Sequence, residues 1–293
     1  MDSIIYNCEC GLRFKKKHYF SAHKLQSSEL CSKINANEKQ NLFLKKYIHK
    51  SFNNIEYING VPKVVFVCWF GVTGNEFPIM SINRFNAFKS LVQTIEVPVI
   101  LLTFENYKYF IKKEYPIHEC FKYLSGVHKS DYIRCYMLLH HGGGYHDIKY
   151  RKEGWNNCWN EDNWLFNDNI WMFGRREKYK GAIGYPPGMK YIQNEYSKLV
   201  TMCWIICKAN SLFLKDLVNA IEEKLDCYKD TLFKHPAILP EGYYADKPFD
   251  LVPNNSYPIR WLEILGEIFH PLMLKYNDHI KFGLLDAFKK NYK

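Results

Sequence analysis

No run in this 293-residue chain approaches the roughly 18 consecutive apolar residues that span a bilayer, which argues against a transmembrane anchor. The first ten residues, MDSIIYNCEC, hold no basic segment followed by an apolar one, so no secretory signal is expected and the expected compartment is the cytoplasm. Arginine is scarce, supplying seven of the 40 basic residues, and internal repeats and low-complexity tracts are absent. The composition is 47% hydrophobic, 17% aromatic and 24% charged. That excludes disorder of the whole chain and suffices for one large core, or for one large domain with a small appendage. In a reducing compartment the ten cysteines read as buried thiols or metal ligands before disulfides. A net charge of +10 makes the surface attractive to anions, whether nucleic acid, phosphorylated small molecules or membrane. Residues 1–60 hold ten Lys/Arg against five Asp/Glu, so half of that excess sits on about a fifth of the chain.

That basic segment carries the spacing C-x-C-x3-F-x5-F-x2-H-x7-C, from Cys8 and Cys10 through Phe14, Phe20 and His23 to Cys31. Twelve residues separate Cys10 from His23, enough for a hairpin and a helix to meet at one metal. The segment resembles the two-cysteine, two-histidine zinc finger, with Phe14 and Phe20 at that family's two core positions. The resemblance implies a small ββα module over residues 1–35 held by structural Zn²⁺ on Cys8, Cys10, His23 and Cys31, with His18 as a substitute for the last ligand. The first pair is one residue closer than usual and the last ligand is a cysteine after a long gap, and the plainer alternative is three ordinary thiols in a basic tail. Lys15, Lys16 and Lys17 could touch nucleic-acid phosphates. A single finger suits docking or stabilisation better than sequence readout, which takes several in tandem.

Residues 36–60 are polar apart from an amphipathic stretch, Leu42 to Ile48, and read as a linker with a short helix. The boundary of the large domain, 61–293, is expected near residue 60. Val64 to Phe70 and Val97 to Thr103 read as buried strands of a mostly parallel sheet, with a helix from Ile82 to Val92 capped by Ser81 between them. Strand, helix, strand opens an α/β domain. Further helices are expected from Ser130 to His140, from Ser211 to Tyr228 and from Ile259 to Tyr276, and a short strand from Tyr145 to Lys149.

The chemistry concentrates in residues 130–149. Asp131 and Arg134, three apart on a helix, present a carboxylate and a guanidinium on one face. Gly142, Gly143 and Gly144 suit a tight turn or close approach to a ligand. Asp147 and Lys149, two apart on a strand, point to one side, where the carboxylate could hold a divalent cation and the ammonium could neutralise phosphate. His140, His141 and His146 read as satisfied polar residues. The tryptophans at 155, 159, 164 and 171 read either as core or as a platform for an acceptor sugar.

The order Ser130-Asp131-x-x-Arg134, then Gly142-Gly143-Gly144-Tyr145-x-Asp147, resembles the core of sugar transferases carrying a DXD motif. Among these are initiating mannosyltransferases, clostridial glucosylating toxins and bacterial capsular polysaccharide synthesis proteins. Pro62 to Gly71 is similar to that group's first strand. The resemblance implies a GT-A fold, which is Rossmann-like, and a UDP- or GDP-sugar as donor, bound at the carboxyl ends of the strands. By position, Trp69 would meet the nucleotide base, Asp131 and Arg134 the ribose and donor sugar, Gly143 and Gly144 the donor, and Asp147 a Mn²⁺ or Mg²⁺ ion. Lys149 stands where the second aspartate of DXD belongs. Either Asp147 holds metal with water and a C-terminal ligand such as Asn277 or His279, or Lys149 supplies the positive charge and metal is dispensable. The same form resembles a subgroup in capsule-type and large-DNA-virus proteins, for which the compartment would be the host cytoplasm.

The function implied is transfer of a sugar to a hydroxyl of a glycan or protein acceptor, with Asp147, Lys149 and Arg134 as the catalytic set. The segment from Tyr257 to Pro271 could close over the donor. The alternative is a degenerate transferase fold acting as a binding protein, tethered by its finger to nucleic acid or protein.

Overall fold

The computed structural model describes residues 37–71, 80–237 and 256–284, with the backbone of two short strands nearer the N-terminus. The chain divides into two compact units, Met1–Tyr47 and Ile48–Lys293. In the first, Tyr6–Asn7 pairs antiparallel with Arg13–Phe14, and residues 37–45 are helical. The expected zinc ligands Cys8, Cys10, His23 and Cys31, and the substitute His18, lie outside the described residues.

The second unit opens earlier than the expected boundary. Residues 48–60, read as the end of a linker, belong to it, and Tyr57–Ile58 pairs with Val61–Pro62 in a hairpin. The turn is Asn59-Gly60, with φ of +46° and +77°, a two-residue connection whose left-handed positions Asn and Gly tolerate best. Asn59 also ties the hairpin down, its Nδ2 donating to the Leu165 carbonyl at 2.7 Å.

The hairpin leads into a six-stranded sheet made of β1 (Val65–Cys68), β2 (Val99–Leu102), β3 (Gly143–His146), β4 (Met172–Arg176), β5 (Val200–Cys207) and β6 (Ile280–Phe282), in the order β6-β4-β5-β3-β1-β2. β1 is parallel to both β2 and β3, and β6 is parallel to β4, while β5 runs antiparallel to β3 and β4. The sheet is therefore mixed: among these six strands β5 alone runs against the others, between β4 and β3. All four residues of β1 are buried, as a strand covered on both faces requires.

Helix α1 (Ile82–Thr94) joins β1 to β2 and buries Arg84, Ala87, Phe88 and Leu91, spaced to share one face. Ser81 caps it, its Oγ accepting from the Arg84 amide at 3.2 Å. Helix α2 (Gly126–His141) returns the chain to β3 on the other side of β1 and packs on both strands. Because parallel crossovers are right-handed and these two step in opposite directions, α1 and α2 cover opposite faces. The chain thus reverses between β1 and β3, and a crevice opens beyond their carboxyl ends.

Helix α2 begins a turn earlier than the sequence suggested. Its cap is Ser125, which accepts from the His128 amide at 3.2 Å, whereas Ser130 sits inside the helix and donates to the Gly126 carbonyl at 2.9 Å. Helix α3 (Leu212–Lys234), capped by Ser211, packs against α2 and α4 (Gly266–Lys275). The last helix is shorter than expected, because residues 261–265 form turns before it.

Tryptophans 155, 159 and 164 are core: each is almost fully buried, and Trp159 Nε1 donates to the Pro62 carbonyl at 3.1 Å. Trp171 is half-buried and stacks on His279 at 3.6 Å. The seven described cysteines are all free thiols, as expected. No described helix is long and apolar enough to cross a membrane.

Candidate active site

A cavity of about 300 Å³ lies at the carboxyl ends of β1 and β3. β1 contributes Cys68 and, just past its end, Trp69 and Phe70; α2 contributes Ser130, Asp131 and Arg134 from one face. Tyr145, Asp147 and Lys149 enter from β3 and the turn after it. Met202 and Cys203 come from the neighbouring β5, and Trp261, Leu262, Leu265 and Gly266 come from the C-terminal segment.

Arg134 is the hub. Its guanidinium contacts Asp131 Oδ1, lies 3.4 Å from Asp147 Oδ1, and donates to the carbonyls of Met202 at 3.3 Å and Ser130 at 3.2 Å. Its carbon also sits 4.4 Å from the centroid of the Tyr145 ring, a cation–π distance. Asp147 is held from three sides: Tyr145 Oη donates to Oδ1 at 2.8 Å, Arg134 faces the same oxygen, and Lys149 Nζ donates to Oδ2 at 2.6 Å. Lys149 is buried and lies 5.2 Å from the Trp204 ring.

These surroundings push the two carboxylates apart. For Asp131 burial outweighs the Arg134 charge and lifts the carboxyl to about 6. Asp147 feels burial as well, but Lys149, Arg134 and the Tyr145 hydroxyl together hold it well below the usual carboxylate range. Asp147 is thus ionised at neutral pH.

The strand ends sooner than expected, at His146, so Asp147 and Lys149 stand in the turn beyond β3. His146 anchors that turn. Its Nδ1 bonds the Asp147 carbonyl and its Nε2 accepts from Arg151 at 2.9 Å, while the ring stacks on Trp204 at 5.6 Å. Those two bonds define the neutral, Nδ1-protonated imidazole, and burial with the nearby Arg151 charge lowers its pKa to about 3. His140 stacks on Tyr115, and His141 bonds the Phe110 carbonyl at 2.7 Å; neither lines the cavity.

Gly143 and Gly144 are not among the residues lining the cavity, because they open β3 at the opposite end of the strand. Gly142 ends α2 at φ +70°, and Gly143 has φ +95°. A Cβ on Gly143 would lie 3.2 Å from the Pro62 carbonyl oxygen, and one on Gly144 would lie 3.1 Å from Val65 Cγ2. Their bareness lets β3 close against β1.

Arg84 was not singled out by sequence. Its side chain is buried against the cavity, with Nη1 donating to the Ile148 carbonyl at 3.0 Å. Only the parallel pairing of β1 with β3 brings α1 to that turn. The C-terminal segment does reach the cavity, as expected, fastened by Tyr257, whose hydroxyl accepts from the Ser125 amide at 3.3 Å and meets His128 Nδ1 at 2.7 Å.

The donor set does not fit a divalent cation. Both oxygens of Asp147 are taken by positive or donor groups, Asp131 is paired with Arg134, and a hard cation needs about six oxygen ligands. Among the described residues no three His, Cys, Asp or Glu side chains gather closely enough to hold a metal. The C-terminal ligands considered from sequence, Asn277 and His279, are not among the residues lining the cavity. Asn277 Nδ2 donates to the Lys198 carbonyl, and His279, stacked on Trp171, bonds the Asn169 carbonyl at 2.7 Å.

A parallel-rich sheet with a charged cavity outside the carboxyl ends of its central strands, where the chain reverses, defines a Rossmann-like α/β protein. More narrowly, the chain belongs to the capsular polysaccharide synthesis protein family, whose pattern matches residues 12–223. That span takes in β1, α2, β3 and β5, and it starts within the segment that resembles a zinc finger. No curated protein matches the chain.

Proposed function

We propose that the protein is a glycosyltransferase of the GT-A type, moving a sugar from a UDP- or GDP-sugar to a hydroxyl of a glycan or protein acceptor. One observation carries the reading: Asp131, Arg134, Asp147 and Lys149 form a single ion-pair network on the wall of the cavity at the strand ends. Family membership in polysaccharide synthesis supports it.

The acceptor oxygen forms a bond to the anomeric carbon as the bond from that carbon to the diphosphate oxygen breaks. The electron pair leaves with the diphosphate, and the acceptor's proton ends on the released diphosphate, in equilibrium with solvent. The barrier lies largely in the charge that grows on the leaving oxygens, which preoriented cations stabilise best in a site shielded from water. Arg134 and Lys149 fill that role, oriented in advance by Asp147. Trp69, buried at the end of β1, offers its ring to the base.

The pairing of Lys149 with Asp147 also favours a second reading, a fold that binds a nucleotide sugar without turning it over. Purified full-length protein incubated with a panel of UDP- and GDP-sugars, with Mn²⁺ present, separates the two. The transferase releases nucleoside diphosphate by slow hydrolysis, and Asp147→Asn lowers that rate on the order of 10²-fold or more. Release that is absent leaves the binding protein, and release indifferent to Asp147→Asn overturns the catalytic role given to this network.

A further inference from the structure

Resting on the nucleotide-sugar reading, we propose that Lys149 occupies the place of the divalent cation, so that the site binds and releases a nucleoside diphosphate without Mn²⁺ or Mg²⁺. Three observations lead there.

The first is the occupancy of Asp147. Lys149 Nζ is 2.6 Å from Oδ2, and Tyr145 and Arg134 cover Oδ1 at 2.8 and 3.4 Å. A divalent ion reaching this carboxylate would have to displace the ammonium and leave it beside the ion, two like charges in a poorly hydrated pocket.

The second is charge. Asp131 and Asp147 are matched by Arg134 and Lys149, and the Arg84 guanidinium lines the same cavity. Two carboxylates against three cations leave no surplus negative charge to draw in a metal, and a net positive charge to receive a diphosphate.

The third is fixation. The Lys149 side chain is only 4% exposed, and it is held between Asp147 and the Trp204 face. A lysine fixed in this way is oriented before the phosphate arrives, which is what stabilising a leaving group requires. In transfer, Lys149 Nζ donates to the β-phosphate oxygen that takes the electron pair of the breaking bond, and it keeps its own proton. Asp147 is then a positioning carboxylate.

The test uses the full-length protein stripped with EDTA. Calorimetric titration with UDP and with GDP, in EDTA and then in Mn²⁺, is expected to give affinities within about twofold of each other for the nucleotide that binds. Nucleotide release from the sugar donor should proceed equally in both buffers. Lys149→Asp, which restores a second carboxylate two residues after Asp147, is expected to lose EDTA-resistant binding and release on the order of 10²-fold and to recover them with Mn²⁺.

Binding and release that vanish in EDTA and return with Mn²⁺ in the unaltered protein would overturn the inference while leaving the transferase reading intact. Neither binding nor release in either buffer would overturn both. The comparison of the unaltered protein in two buffers stands even where Lys149→Asp fails to fold.

Discussion

Lys149 Nζ stands 2.6 Å from Asp147 Oδ2, two residues back along the chain, and the contact is made just after β3 ends at His146. The two residues follow the strand directly, and the lysine folds back onto the carboxylate across the turn. The turn is anchored by the neutral His146, whose Nδ1 donates to the Asp147 carbonyl.

Arg134 joins the buried carboxylate of Asp131 to the half-buried one of Asp147, and its removal should be costly. Arg134→Met leaves the buried Asp131 without its cation while Asp147 keeps Lys149, with an expected loss of about 3–5 kcal/mol in urea denaturation. Arg134→Lys keeps the charge but not the fork that reaches both carboxylates, so its loss should be smaller. Equal losses in the two variants would show that the fork, and not the charge, is what matters.

Acid should weaken the fold through His146. Its pKa in the folded chain, about 3, lies below its ordinary value of 6.5, so the folded state binds fewer protons than the unfolded one between those values. This contribution is complete above the ordinary value and is lost as pH falls below it. Protonation would break the bond from Arg151 and set two cations face to face. Thermal melts from pH 7.5 down to about 5 should show a falling midpoint, and His146→Gln should flatten the fall.

Gly143→Ala tests whether the glycines serve strand closure or the donor. At φ +95°, with a Cβ only 3.2 Å from the Pro62 oxygen, alanine should cost about 1–3 kcal/mol in stability. Nucleotide affinity of the folded fraction should be unchanged, since the residue lies at the far end of β3. An affinity loss without a stability loss would place Gly143 in the site.

Tyr257→Phe removes the hydroxyl that joins the C-terminal segment to Ser125 and His128 at the start of α2. The expected cost is about 1 kcal/mol per bond lost. Because that segment carries Trp261 and Leu265 to the cavity, KM for the donor should rise while kcat changes little.

Much of the frame is legible in the chain itself. The apolar runs at β1 and β2, the cap Ser81, and the three-residue spacing of Asp131 and Arg134 are local patterns with local causes. Where the reading slipped, a competing local signal misled it. Ser130 has the chemistry of a cap, but Ser125 stands one turn earlier with room for the helix to start. The Asn59-Gly60 pair was a hairpin signal inside a stretch whose polarity suggested a linker. The glycines after α2 suit a turn or a ligand equally in sequence, because a missing side chain looks the same whether a phosphate or a neighbouring strand needs the space.

The sequence by itself determined that an α/β domain would present Asp131 beside Arg134 and Asp147 beside Lys149, because short spacings within each pair fix direction without help from the rest of the chain. Only the tertiary structure decided what those groups do to each other. The parallel pairing of β1 with β3 brings Arg84 from α1 to the same cavity, β5 supplies the Met202 carbonyl and the Trp204 ring, and Lys149 comes to rest on Asp147. Burial then makes each pairing compulsory, since a charge removed from water must find its partner among the residues that folding has placed within reach.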